Sequence, residues 1–299
     1  MNKVQIWLAA ARLRTLPLSV AGIILGNAYA YAKEKFDPLI FILALATTIS
    51  FQILSNFAND YGDGVKGTDN EDRIGPARVL QQGLLSPSTL KKGIVVNVVI
   101  AAVLAVALIF SSFSPDQWVM VFVFLLLGIA AIVAAIKYTV GEHAYGYYAL
   151  GDLFVFFFFG LVSVLGSYFL QTQRFSPELL LPAIAVGCLS VAVLNLNNMR
   201  DAQTDSISQK NTLAVYLGFY KAKGYHYSLL ITTLSCSFIF AGIYSTGAWL
   251  FLPVLIPLFL HAIRVKNIEQ AVDYDPELKV VALSTFAFAV LMGLGIILF

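Results

Sequence analysis

Two clusters of amides and acids end long apolar runs. Asn59, Asp60, Tyr61, Gly62 and Asp63, continuing to Gly67 and Asp69, follow one run; Asn197, Asn198, Met199, Arg200 and Asp201, continuing to Asp205, follow another. In each, an amide and a carboxylate recur four residues apart: Asn59 with Asp63, then Asn197 with Asp201 and Asp205. That interval stacks side chains on one face of a helix. Two such oxygen-rich faces at a membrane surface are suited to holding Mg²⁺ against a diphosphate, because Mg²⁺ takes one or two protein carboxylates and completes its octahedron with phosphate oxygens and water. Asp63, supported by Asn59, is the candidate ligand of the first cluster, with Asp69 a further acid. Asp201 and Asp205, supported by Asn197, are the candidates of the second.

Basic residues follow each cluster. Lys66, Arg73 and Arg78 trail the first and Lys210 the second, placed to neutralise the remaining phosphate charge, Arg in bidentate fashion. The competing reading is a solvated turn with incidental charges. It does not account for carboxylates, glycines and arginines converging just beyond an apolar helix. A third segment runs from Lys137, Tyr138 and Thr139 through Tyr145, Gly146, Tyr147 and Tyr148 to Gly151 and Asp152. Its tyrosines are either interfacial anchors or π-faces for a cationic intermediate or an aromatic substrate. The Phe156–Phe159 run reads as lipid-facing or core packing, and His143, His226 and His261 are scattered without an assigned role.

The chain that must position these groups is 59% hydrophobic and 12% charged over 299 residues. A soluble domain would carry about a quarter charged residues. Apolar stretches of roughly 17–22 residues, the length of a bilayer-spanning helix, recur throughout. Helices are expected near 13–32, 37–58, 93–112, 117–136, 152–171, 178–196, 225–244, 247–263 and 278–298. The fold expected is all-α: a polytopic membrane protein of nine transmembrane helices, one unit over residues 1–299. The first apolar run lacks a small-residue cleavage site and reads as a retained helix. Starts are expected at Asp37-Pro38, Ser86-Pro87, Ser114-Pro115, Ser176-Pro177 and Asp275-Pro276, where a polar N-cap precedes proline. Pro253 and Pro257 predict a kink in the eighth span. Cys188 and Cys236 read as small core residues.

Charge sets the orientation. With the N-terminus cytoplasmic, 16 of the 19 cations fall inside and only Lys33, Lys35 and Arg174 outside. Both acidic clusters then lie on the basic, cytoplasmic face. No basic run points to nucleic acid.

The sequence resembles the UbiA superfamily of intramembrane aromatic prenyltransferases over essentially its whole length. The resemblance rests on Asn59-Asp60-Tyr61-x-Asp63-x-x-x-Gly67-x-Asp69, Arg73-x-Gly75-Pro76-x-Arg78, Tyr145-Gly146-Tyr147 with Leu150-Gly151-Asp152, Asn197-Asn198-x-Arg200-Asp201-x-x-x-Asp205, and Lys210-x-Thr212-Leu213-Ala214-Val215. Within the superfamily it is most similar to the branch acting on 1,4-dihydroxy-2-naphthoate. The resemblance implies nine helices around a lipid-open cavity, with both motifs facing it from the cytoplasmic end. It implies Mg²⁺ as cofactor, and a polyprenyl diphosphate and 1,4-dihydroxy-2-naphthoate as substrates. Asp63, Asp201 and Asp205 would be the catalytic carboxylates. Asn59, Lys66, Arg73, Arg78, Tyr138, Tyr145, Asn197, Asn198, Arg200 and Lys210 would bind substrate, and Arg14 is a candidate for the acceptor carboxylate. Two departures stand out: Gly67 where many members carry a further Asp, and Gln209 where the naphthoate branch usually has Gly.

Alternatives remain open at this point. Another superfamily member would use 4-hydroxybenzoate, haem or a tocopherol precursor as acceptor. A CDP-alcohol phosphotransferase would carry a single longer Asp-rich motif, which this chain lacks. A secondary transporter would place ionisable groups near the bilayer midplane, whereas the middle of each expected span here lacks Asp, Glu, Lys and Arg.

Overall fold

The structure, a computed structural model, describes residues 1–69 and 73–299. Among the described residues, nine helices are long and apolar enough to cross a membrane. They are α1 (Lys3–Ala32), α2 (Pro38–Val65), α3 (Pro87–Ser112), α4 (Trp118–Lys137), α5 (Gly151–Thr172), α6 (Pro177–Ile207), α7 (Phe219–Ile243), α8 (Thr246–Asn267) and α9 (Ala271–Leu298). The fold is an all-α, polytopic membrane bundle.

Two of the expected starts form as capped helices. Asp37 accepts the Leu39 N–H at 2.7 Å and Ser86 accepts the Thr89 N–H at 3.2 Å, each with proline next in sequence. The other three differ. Ser114-Pro115 lies in a turn before α4, which begins at Trp118. Pro177 opens a 3₁₀ turn with no side-chain cap. Asp275 sits inside the first turn of the α-helical part of α9, its carboxylate drawn to Arg200. In α8 a 3₁₀ segment, Thr246–Val254, gives way to α-helix at Leu255, so the expected irregularity takes the form of a change in helix type around Pro253.

A larger correction concerns both motifs. The expected spans ended at residues 58 and 196, yet α2 runs to Val65 and α6 to Ile207, so Asn59–Asp63 and Asn197–Asp205 are the last turns of those helices. Polar residues stay helical there because partners from other segments satisfy them. Helix α2 stops at Gly67, whose φ of +75° is left-handed and lets Thr68 N–H reach Asp63 C=O at 2.9 Å. The first span also starts earlier than expected, with a helix Lys3–Ala11 that breaks at left-handed Arg12 (φ +49°).

Helix α6 is the buried centre. Leu179, Ala183, Val186, Leu189, Ala192 and Leu196 are fully enclosed and pack against α5, α7 and α9. Cys188 is buried, Cys236 half-buried, and both are free thiols. Helix α4 turns its apolar side chains outward, as a lipid-facing helix does. Phe156–Gly166 of α5 is π-helical. Close approach accompanies it: a Cβ on Gly22 would fall on Ser163 Oγ, and one on Gly160 within 2.6 Å of Gly187. Ser163 and Ser167 bond back to the carbonyls of Phe159 and Ser163, a contact that loosens the α-helical ladder.

Candidate active site

A cavity of about 1110 Å³ is enclosed by α1, α2, α3, α4, α5, α6 and α9. Asp63 and Thr47, both on its wall, lie about 24 Å apart along α2 by helix rise. One end is charged, and the rest is mostly Leu, Ile, Val, Ala and Phe, with a few Ser, Thr and Gly among them. Leu8, Leu13 and Leu283 line it while remaining about half exposed, so one lip is apolar and reaches the outer surface.

At the charged end, Asp63 is 2% exposed. Its Oδ1 accepts the Tyr147 hydroxyl at 2.9 Å, and its Oδ2 lies 3.4 Å from Lys210 Nζ. The same ammonium is 3.6 Å from Asp205 Oδ1, so Lys210 bridges the two motifs. Burial works against charge on Lys210, but Asp63 and Asp205 more than offset it and its pKa is raised. Asp69 is held by Arg73 and, at 3.6 Å, by Arg78. Burial pushes its carboxyl up to about 6 against the pull of Arg73. Arg78 Nε and Nη1 are buried without a hydrogen-bond partner among the described residues.

In the second motif the cations stand in front. Asn197, Arg200 and Lys210 line the cavity, whereas Asp201 and Asp205 are absent from its wall. Arg200 grips Asp201 with two bonds, Nε to Oδ1 at 2.8 Å and Nη2 to Oδ2 at 2.7 Å, and also reaches Asn197 Oδ1 at 2.9 Å. The expectation that this acid pair faces the cavity directly is corrected: buried carboxylates recruit the nearest cations, and those cations form the surface. Asn198 is buried and off the wall.

The tyrosine segment ties both motifs together. Tyr147 donates to Asp63, shares a 2.8 Å bond with the Thr68 hydroxyl, and accepts the Asn211 N–H at its carbonyl, beside Lys210. Lys66 lies over its ring at 3.8 Å; it is exposed and off the cavity wall. Tyr138 and Tyr145 are on the wall, with ring centroids 5.4 Å apart, and Tyr145 stacks on Phe154 at 4.0 Å. Phe158 and Phe159 also line the cavity, correcting the reading of that run as lipid-facing or packing alone.

The donor set suits Mg²⁺. Carboxylates of both motifs converge on one cationic centre, and Asp205 Oδ2 is buried without a hydrogen-bond partner among the described residues. Among the described residues no three His, Cys, Asp or Glu side chains already form a metal-holding group. Lysine and arginine take that electrostatic role instead.

A model of the UbiA prenyltransferase family matches residues 19–288. The chain belongs to the UbiA prenyltransferase family. It is similar to the 1,4-dihydroxy-2-naphthoate octaprenyltransferase of Escherichia coli strain K12, 44% identical over 269 residues covering 88% of this chain and 87% of that one. The protein of the same description from Haemophilus influenzae is 42% identical over 301 residues, 99% of this chain and 97% of the other. Among solved structures, a UbiA homolog from Archaeoglobus fulgidus bound to GPP and Mg²⁺ matches with a TM-score of 0.61 at 14% identity, covering 96% of this chain and 99% of that one. At that identity the likeness speaks for the fold alone.

Sequence reasoning gave no binding role to three residues of this UbiA-family site. Tyr147 stood in the Tyr145-Gly146-Tyr147 motif without a role of its own. Asp275 was read as an N-cap. Thr139, which donates to Ala58 C=O at 3.0 Å and lies 3.3 Å from Asn59 Oδ1, gave no signal. Arg14 is exposed at the cavity mouth, with Arg12 beside it on the wall.

Proposed function

We propose that the chain transfers a polyprenyl group from polyprenyl diphosphate to 1,4-dihydroxy-2-naphthoate, giving demethylmenaquinol, CO₂ and diphosphate. The observation that carries this is the polarity of the cavity: a deep apolar channel ending at Asn59, Asp63, Arg73, Arg78, Asn197, Arg200 and Lys210. A long prenyl chain with a charged head matches that layout, and the acceptor follows from kinship with the naphthoate octaprenyltransferases.

Asn59, Asp63, Asn197, Asp201 and Asp205 would hold Mg²⁺, with Asp69 behind them, and the metal would supply Lewis-acid stabilisation of the departing diphosphate. Lys210, Arg73 and Arg78 add positive charge where negative charge develops. Tyr138, edge-on to Tyr145, and Tyr145, stacked on Phe154, form an aromatic cluster just inside the charged end, where an allylic cation would form. The apolar wall excludes water that would otherwise capture that cation. The naphthoate ring attacks from its carboxylate-bearing carbon; the new C–C bond forms there and the bond to the carboxylate breaks, leaving CO₂. Residues 1–299 act as one unit, with the N-terminus and the charged end on the cytoplasmic side of a bacterial inner membrane, as the cation distribution supports.

Incubating the protein in membranes with octaprenyl diphosphate, Mg²⁺ and a panel of aromatic acceptors tests the reading. Product with the dihydroxynaphthoate is expected; product with 4-hydroxybenzoate and none with the naphthoate would overturn the acceptor.

A further inference from the structure

Arg200 is 2% exposed, and its donors are divided between two carboxylates. Asp201 takes the paired bonds at 2.8 and 2.7 Å, and Asp275 Oδ1, on α9, takes Nη1 at 2.5 Å. We propose that Asp275 is a positioning residue that lets Arg200 release Asp201 to a divalent cation. The inference rests on the Mg²⁺-diphosphate reading above and adds to it a device for loading the site.

A cation entering from the cavity meets the guanidinium first, since Arg200 lines the wall and Asp201 does not. Arginine keeps its proton at any accessible pH. Taking Asp201 away from it would leave a buried, unpaired charge, which is strongly destabilising. Asp275 removes that obstacle. It already holds the far side of the guanidinium, and its side chain is 38% exposed, so it remains a counter-charge when Asp201 turns to the metal.

Two neighbours fix the arrangement. Two residues beyond Asp275, Glu277 accepts from Arg264 and lies 2.5 Å from His261 Nδ1, which pins the start of α9 to α8. On the other side, the backbone at Gly75 presses against Arg200. A Cβ there would lie 2.6 Å from Nη2, so the guanidinium has little room to swing away from both acids. Exchange between Asp201 and Asp275 is the short movement left to it.

The test uses the full chain purified in detergent, with the thermal unfolding midpoint followed as MgCl₂ is added in the presence of inorganic diphosphate. Wild type is expected to be stabilised saturably. Asp275→Asn should raise the half-saturating Mg²⁺ concentration roughly tenfold, the weight of about one hydrogen bond to a charged group. Asp275→Glu should return it close to wild type. A lower midpoint at every Mg²⁺ concentration with unchanged half-saturation would mean that Asp275 is merely structural, and would overturn the proposal. If Asp275→Asn fails to fold, the double variant Arg200→Met, Asp275→Asn removes both charges together. It should load Mg²⁺ at wild-type concentrations or lower, and weaker loading there would also overturn the proposal. A wild type that ignores Mg²⁺ and diphosphate would remove the underlying metal reading and this inference with it. A responsive wild type with an equally responsive Asp275→Asn sinks this inference alone.

Discussion

The Tyr147 hydroxyl donates to Asp63 Oδ1 at 2.9 Å, joining the segment between α4 and α5 to the acidic end of α2. Burial and the Asp63 charge raise the pKa of that hydroxyl, so it stays a donor at neutral pH. Tyr147→Phe keeps the ring beneath Lys66 and removes only the bond. We expect kcat/KM to fall roughly tenfold or more, the usual weight of one hydrogen bond to a charged group. Tyr147→Ala should cost more, because Lys66 also loses its aromatic face. Steady-state kinetics on protein of checked thermal stability measures both, and a Tyr147→Phe variant as active as wild type would remove the hydroxyl from the account.

Asp63→Asn and Asp201→Asn should each leave turnover below about a tenth of wild type, since both keep size but remove the charge a hard cation requires. The proteins should still insert and run as folded species by size exclusion. Activity above that level at saturating Mg²⁺ would exclude the residue as a metal ligand.

Gln209 occupies a left-handed conformation, φ +56°, immediately before Lys210. The departure from glycine therefore leaves the turn intact and adds local strain. Gln209→Gly is expected to stabilise by roughly 0.5–1 kcal/mol, the relief of a left-handed side chain less the entropy cost of glycine. Activity should be unchanged. Gln209→Val should lower both the melting midpoint and turnover, because a β-branched residue resists positive φ. A melting series in one detergent decides it.

Orientation is open to labelling. In a variant lacking Cys188 and Cys236, a cysteine at exposed Ser206 should react with a membrane-impermeant thiol reagent only from the cytoplasmic side. One at exposed Lys35 should react from outside. The opposite pattern would invert the topology.

The elements that carry charge were legible in the sequence because spacing and cation placement are local properties. Asn59 with Asp63 and Asn197 with Asp201 share helix faces as their four-residue spacing requires. What stayed hidden depends on partners remote in sequence. The ends of α2 and α6 were placed too early, since polar residues read as loop until Lys210, Arg200 and Tyr147 are seen to satisfy them. The π-helical stretch of α5 is accompanied by Gly22 on a different helix, directly opposite Ser163. No periodicity reports that. Arg200 and Asp275 meet across two helices, and the proline after Asp275 drew attention to capping instead.

The central claim is prenylation at the carboxylate-bearing carbon of the naphthoate, and gas release reports it directly. Carboxyl-labelled 1,4-dihydroxy-2-naphthoate, octaprenyl diphosphate and Mg²⁺ are incubated with the protein, and CO₂ and diphosphate are measured together. The account predicts labelled CO₂ in equal amount to diphosphate, and none with Asp63→Asn. Prenylated product that retains the label, or diphosphate release without CO₂, would contradict it.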